Sequence, residues 1–250
     1  MLGTMSIPRA SGESAFRALV PTSRLQSSED VRALLNDNTL HVWIGGGCHV
    51  VAYTIRQGRD LNIVCTQPSM SVSEPSVYVT PISTDVIRKR YEGWDPRLAA
   101  VFAQLDDESA ALEWKLCDLP EMEGWVAPGG RAVLVGDACH PMLPSAGQGA
   151  CMAVEDGMGI AELLARIQSE SDDVETARER IPAALHAFQG LRKKRCALVA
   201  DSARQNAKRW HVKDAKPAAG ATSDWIWNYD VEAEAKKYHV GPARGPEGCR

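Results

Sequence analysis

No apolar run in the sequence approaches the ~18 to 20 residues needed to cross a bilayer, which argues against a membrane-spanning chain. The first residues, MLGTMSIPRASGES, lack both a basic segment and an apolar core, so they do not read as a secretory signal. There is no C-x-x-C, and the seven cysteines are scattered and odd in number, which excludes a disulfide scaffold and predicts reduced thiols in a cytoplasmic setting. The six histidines show no H-E-x-x-H spacing, so no metal site is expected. Nor is there an excess of positive charge. Lys and Arg total 28 against 32 Asp and Glu, a net charge of -4, which offers no footprint for nucleic acid. With 44% hydrophobic and 24% charged residues, the chain falls among globular proteins rather than disordered ones. Its 250 residues can bury a core, yet they are few for an enzyme holding both a large cofactor and a substrate.

The first ten residues carry no periodic pattern and read as a frayed start. From Ala15 to about Cys65 the pattern is β. Ala15 to Val20 is a strand ended by Pro21, Thr39 to Ile44 and Cys48 to Ile55 form a hairpin around a glycine turn, and Leu61 to Cys65 follows. Alternation places His49, Val51, Tyr53 and Ile55 on one face. Residues 66 to 80 read as an irregular connection. Two helices follow, Ser83 to Tyr91 and Pro96 to Leu105, the second with Asp95 as N-cap before a proline, and then a short strand at Glu113 to Leu116. Ala132 to Val135 reads as a buried strand, residues 136 to 149 as a Gly/Pro loop, and Ala150 to Ile167 as a helix. A long helix runs from about Thr176 past Arg204, and an Ala/Gly/Pro-rich tail from Asp214 is anchored by Trp225 and Trp227. The basic run Arg192 to Arg195 reads as a solvated helix face, and the cysteines as filler.

The strand, glycine loop and helix of residues 132 to 167 carry the strongest chemical signal. A helix N-terminus behind glycines offers free backbone N–H groups and a positive dipole end, so Gly147, Gln148, Gly149 and Ala150 suit a partial negative charge. An ordinary packing turn is the alternative. Asp137, at the end of the apolar strand, can accept from ligand hydroxyls or simply face solvent in a turn.

The string Gly136-Asp137-Ala138-Cys139-His140 through Pro144, Gly147-Gln148-Gly149 and Glu155-Asp156 closely resembles the second FAD motif of group A flavoprotein monooxygenases, G-D-A-x-H-x-x-x-P-x-x-G-Q-G-x-x-x-x-x-E-D. Segments 14 to 21 and 49 to 55, with Phe188, Arg192, Arg195, Ser202, Asn206, Trp210-His211 and Tyr229-Asp230, resemble its salicylate-hydroxylase-like subgroup. The resemblance implies an α/β (α+β) PHBH-like flavoprotein monooxygenase fold in incomplete form. Its parts would be a non-matching start at 1–12, a substrate-binding sheet domain at 13–118, part of the FAD-binding domain at 119–168, a long helix at 169–213 and a tail at 214–250. It assigns FAD as cofactor and NAD(P)H as co-substrate. O2 and a small aromatic or phenolic substrate complete the set, with hydroxylation through a flavin C4a-hydroperoxide. Asp137 would bind the ribityl hydroxyls and the amides of Gly149 and Ala150 would face the isoalloxazine, with His140, Pro141, Pro144 and Gly147 shaping the loop. Arg17 and Tyr53 match the family's substrate-domain arginine and tyrosine. Arg17 would fix a phenolate or carboxylate, and Tyr53, which can donate to or accept from a substrate hydroxyl, would deprotonate it. A strand-face ion pair for Arg17 and a half-buried core position for Tyr53 are the alternatives. Gly46 and Thr54 depart from the subgroup, which usually has proline at both positions, and no G-x-G-x-x-G strand is found. The match therefore starts in mid-fold. It leaves three expectations: the later part of a monooxygenase, a chain completed by a partner carrying the Rossmann segment, or a non-catalytic remnant or accessory subunit.

Overall fold

The computed structural model describes residues 7–26, 29–36, 39–69, 77–105, 111–211 and 224–241. Cys249, the first six residues and most of the start of the tail lie outside them, as do residues 70–76 of the irregular connection. The chain divides into two bodies, one of Ala10–Leu116 with Lys208–Lys216, the other of Met1–Arg9, Cys117–Ala207 and Pro217–Arg250.

The first body is a six-stranded sheet. Its strands are β1 (Arg9–Pro21), β2 (His41–Gly45), β3 (Cys48–Ile55), β4 (Asp60–Pro68), β5 (Val79–Ile82) and β6 (Ala111–Asp118), in the order β2-β3-β4-β1-β6-β5. β1 starts at Arg9, so the last two of the ten residues expected to be frayed, Arg9 and Ala10, already belong to the sheet. β2 and β3 form an antiparallel hairpin across Gly46 and Gly47, both with positive φ, which suits the tight turn that matches strand twist.

Register divides the residues between two faces. Phe16, Val20, Val50, Ala52, Leu61, Ile63 and Cys65 point to the core, where they meet Ile87, Tyr91, Leu98, Val101 and Phe102. These come from α2 (Thr84–Arg90), capped by Ser83, from α3 (Pro96–Phe102), capped by Asp95 with proline at the first position, and from the turn after α2. A further helix, α1 (Glu29–Asn36), buries Val31 and Leu34. It lies within the stretch whose alternation reads as β, and its two turns are too short for helical period to stand out there.

On the other face, cross-strand partners form rows. Glu13 pairs with Pro68. The next row is Ala15, Thr66 and His49, then Arg17, Val64 and Val51, then Leu19, Asn62 and Tyr53. The expected alternation of His49, Val51 and Tyr53 is therefore realised away from the core.

The second body is built on α4 (Gly149–Ser169) and α5 (Val174–Trp210), with Met152, Leu163, Ile167, Phe188, Leu191 and Val199 at its centre. Two short helices, α6 (Asp224–Trp227) and α7 (Val231–Ala235), complete it. Here the anchor is Ile226, not the tryptophans. Ile226 is 7% exposed, whereas Trp225 and Trp227 are 46% and 66% exposed, because the helical turn directs only the residue between them inward. The buried strand expected at Ala132 to Val135 is also absent. Val133 makes one isolated bridge to Val126 and Val135 is exposed, since an apolar run becomes a buried strand only with neighbours to pair with, and this one meets only the segment around Trp125 to Ala127. Among the described residues no helix is long and apolar enough to cross a membrane.

The two-faced register gives a direct test. Phe16→Ala should destabilise the chain by about 3 to 5 kcal/mol in urea unfolding. Leu19→Ala, three residues along the same strand on the open face, should cost less than about 1 kcal/mol.

Candidate functional site

The glycine loop is held from below by one carboxylate. Asp156, on the second turn of α4, is fully buried. Its Oδ2 accepts from the Gly136 backbone N–H at 2.9 Å and lies 2.7 Å from His140 Nε2, while Oδ1 accepts from Arg192 Nε at 2.8 Å. Burial favours the neutral acid, but the hydrogen bonds from His140, Arg192 and Gly136 outweigh it and hold the Asp156 pKa below the usual range. Burial likewise opposes charge on His140, and the bond to Asp156 prevails, pushing its pKa up to about 12.

Arg192 is completely buried and Arg195 nearly so. Arg195 grips Glu155 through two hydrogen bonds of 2.9 and 2.7 Å and donates to the carbonyls of Trp225 and Ile226, with its guanidinium 3.8 Å from the Tyr229 ring centre. The basic run expected to be a solvated face is thus split. Lys194 is exposed, while the arginines flanking the two lysines are interior, because Glu155 and Asp156 on α4 meet them across the packed helices. His140, Asp156 and Cys196 lie close enough to hold a metal ion. However, Asp156 is committed to three donors and the Arg192 guanidinium is 3.8 Å from the Cys196 sulfur, so a cation already occupies the charge position.

Above this support the loop is open. Asp137 is exposed on the 3-10 turn Gly136–Ala138, and no hydrogen bond or ion pair engages its carboxylate among the described residues. Pro144 begins a second 3-10 turn and is exposed. Gly147 ends that turn in the left-handed region at φ +64°, a conformation that favours glycine. Gln148 precedes α4 without a side-chain cap, and no acidic residue stands in its first turn, so among the described residues the amides of Gly149, Ala150 and Cys151 have no side-chain partner. A Cβ on Gly149 would meet nothing within 4 Å. Asp137, Pro144, Gly147, Gly149 and Ala150 are brought together at one helix mouth.

Arg17 and Tyr53 belong to the sheet body and share its open face in adjacent rows, with β4 between their strands. Arg17 is exposed and Tyr53 half-buried, bordering a groove of about 280 Å³ with Thr39, Leu40 and Thr54. Asn62, not singled out in the sequence, links them. It lies opposite Tyr53, its Oδ1 accepts from Arg17 Nε at 3.1 Å, and its Nδ2 is buried without a partner among the described residues. The available signal was a polar residue on an otherwise apolar strand.

Asp156→Ala should cost about 3 to 5 kcal/mol, because it strands Arg192 and His140 without their counter-charge. Asp137→Ala should stay within about 0.5 kcal/mol. Asp156 has a depressed pKa, so its contribution is present above the ordinary carboxylate value of about 3.9 and lost as pH falls through its folded value. His140 has a raised pKa, so its contribution is complete below about 6.5 and fades as pH rises toward 12. The stability gap between wild type and Asp156→Asn, followed by urea unfolding, should therefore be widest between about pH 4 and 6.5.

Residues 126–184 match the family model of the FAD binding domain. The FAD-dependent monooxygenase atnJ of Arthrinium sp is 31% identical over 245 residues, which cover 96% of this chain and 55% of that protein. Salicylate hydroxylase of Pseudomonas putida is 29% identical over 248 residues, 91% of this chain and 53% of its own length. A solved salicylate hydroxylase substrate complex superposes with a TM-score of 0.72 at 28% identity, over 92% of this chain and 57% of that one. The chain thus spans about half the length of the curated relatives it matches. Motif, helix mouth and sheet agree with these matches, and the chain belongs to the FAD-dependent monooxygenase family that includes salicylate hydroxylase, with its PHBH-like α/β fold.

Proposed function

We propose that the chain forms the substrate sheet and part of the FAD site of an aromatic monooxygenase. The observation that carries this reading is the uncapped mouth of α4, with free amides at Gly149 and Ala150 beside the exposed carboxylate of Asp137. Such a mouth suits a flavin: Asp137 would accept from ribityl hydroxyls, and the helix N-terminus would stabilise negative charge at the ring edge. When bound, FAD supplies the redox chemistry, taking electrons from NAD(P)H and using O2 to hydroxylate an electron-rich ring.

The chain's own residues bind and orient. Arg17, held through its Nε by Asn62, keeps its terminal nitrogens for a substrate carboxylate or phenolate, and Tyr53 donates to or accepts from a ring hydroxyl. Names among the relatives, such as salicylate hydroxylase and 3-hydroxybenzoate 6-hydroxylase, support a hydroxylated benzoate or related phenol as the substrate class.

Val135, Val154 and Met158 expose 43%, 64% and 50% of their surface on the second body. An apolar face of this kind favours a completing segment of the FAD-binding domain, on the same or a partner polypeptide, that covers it and supplies the remaining cofactor contacts. The accessory-subunit reading shares this face and differs only in flavin uptake.

The test is a titration of the purified chain with FAD, with and without that segment, followed by NAD(P)H oxidation in the presence of salicylate. A protein that stays colourless with the segment present would refute the monooxygenase reading and favour the accessory one. In flavin-loaded enzyme, Asp137→Ala should weaken FAD binding by about 10- to 100-fold. Tyr53→Phe should lower kcat by about 100-fold or more, and Arg17→Ala should raise KM by about 10- to 100-fold.

A further inference from the structure

Arg17 is an exposed cation on the open face of the sheet, and its partner is uncharged. Its Nε donates to Asn62 Oδ1 at 3.1 Å, and among the described residues no carboxylate pairs with the guanidinium. The two residues lie on paired strands, Arg17 opposite Val64 and Asn62 opposite Leu19, so they are diagonal neighbours on one face. Elsewhere the fold matches arginine with acid: Arg97 with Asp95, Arg192 with Asp156, Arg195 with Glu155 and Arg204 with Asp201.

The orientation of the amide follows from its partner. A guanidinium only donates, so Asn62 turns its oxygen toward Arg17 and its nitrogen away. That nitrogen is buried and finds no acceptor among the described residues. Asn62 itself is fully buried between Leu61 and Ile63 on β4. An apolar side chain there would strand no donor, so packing is not what the amide serves.

An aspartate, of nearly the same size and shape, would hold Nε equally well, as Asp95 holds that of Arg97 at 3.0 Å. The difference between the two residues is charge. Aspartate would complete an ion pair and leave the pair neutral, whereas asparagine fixes the direction of the guanidinium and leaves its charge uncompensated. A charge at position 62 would also be shielded from water, where it acts with little screening.

We propose that Asn62 selects substrates by charge: as an uncharged holder of Arg17, it makes this face of the sheet take aromatic acids in preference to neutral phenols. The inference rests on the monooxygenase reading and adds to it the residue that decides between two substrate classes. Asn62 is a positioning residue and acts through Arg17. With Nε engaged, the terminal nitrogens of Arg17 form the free edge, which matches the two oxygens of a carboxylate in parallel hydrogen bonds. A neutral hydroxyl can accept one such bond and draws little from the charge.

Salicylate and phenol, which differ only by a carboxylate, test the proposal through equilibrium binding to flavin-loaded enzyme read from the flavin absorbance. Wild type should prefer salicylate. Asn62→Asp should weaken salicylate binding by about 10- to 100-fold and leave phenol within about twofold. Asn62→Leu keeps the charge and loses the hold, so salicylate should weaken by only about 3- to 10-fold, with phenol again unchanged. In an Arg17→Gln background the same Asn62→Leu change should have no further effect on salicylate. In the ligand-free chain, the Arg17 Nε–H signal in NMR should exchange slowly with water in wild type and rapidly in Asn62→Leu. The Asn62→Leu variant and its Arg17→Gln background decide the matter if Asn62→Asp fails to fold by circular dichroism or if phenol binds too weakly to titrate. The proposal is overturned if folded Asn62→Asp binds salicylate like wild type, if the variants lose salicylate and phenol in equal proportion, or if Asn62→Leu costs as much without Arg17 as with it. Wild type that binds neither probe strikes the monooxygenase reading and this proposal with it. Wild type that binds salicylate while the variants fail to discriminate strikes the proposal alone.

Discussion

A carboxylate that no water reaches is the constraint on which the second body depends. Asp156 keeps its charge because three donors from different parts of the chain converge on it: a turn amide, a histidine and an arginine 36 residues further along. The compensation has to be complete, since a buried charge short of partners costs several kcal/mol. With it complete, the position of the Gly136–Ala138 turn is fixed relative to α4, and Asp137 is directed outward as a consequence. A rigid interior charge thus sets the direction of an exterior one. Glu155 and Arg195 repeat the arrangement one step along, tying α4 and α5 to the Trp225–Trp227 turn through two carbonyls.

The parts legible in the sequence were those whose chemistry is local. The glycine loop, the start of α4, the cap at Asp95 and the Gly46-Gly47 turn each rest on neighbours a few residues apart, so residue type and order are enough to predict them. What escaped depended on distant partners. Arg192 and Arg195 look like a solvated run until Glu155 and Asp156 are seen to meet them from another helix. Ala132 to Val135 has the composition of a core strand, but pairing is a property of neighbours, and Val133 finds only Val126. Asn62 was hidden for a similar reason. A single polar residue within Leu-Asn-Ile-Val-Cys acquires meaning only when register sets it against Tyr53 and its side chain meets Arg17.

The sheet body separates stability from chemistry by parity along each strand. Phe16, Val50, Ile63 and their neighbours carry the core, while the alternate residues, Arg17, His49, Asn62 and Tyr53, place polar groups on the opposite face. The exposed side chains of that face, Arg17 and Leu19, can therefore change with little effect on the fold, and the backbone under them is held by the other face. Asn62 Nδ2 and Glu13 Oε2, both buried and without a partner among the described residues, lie on this open face. They mark where the fold has accepted a local energetic cost at positions that packing does not require.

Parity also makes chain length across β3 a chemical variable. The strand runs without a bulge from the Gly46-Gly47 turn to Ile55, so one residue inserted or deleted after Cys48 would exchange its faces. His49 and Tyr53 would turn into the core while Val50 and Ala52 took their places on the open face, with every one of these residues retained. Frame-preserving insertions and deletions should thus be tolerated in the surface turns at either end of β3 and eliminated within it, which makes spacing as heritable a part of this face as the side chains themselves.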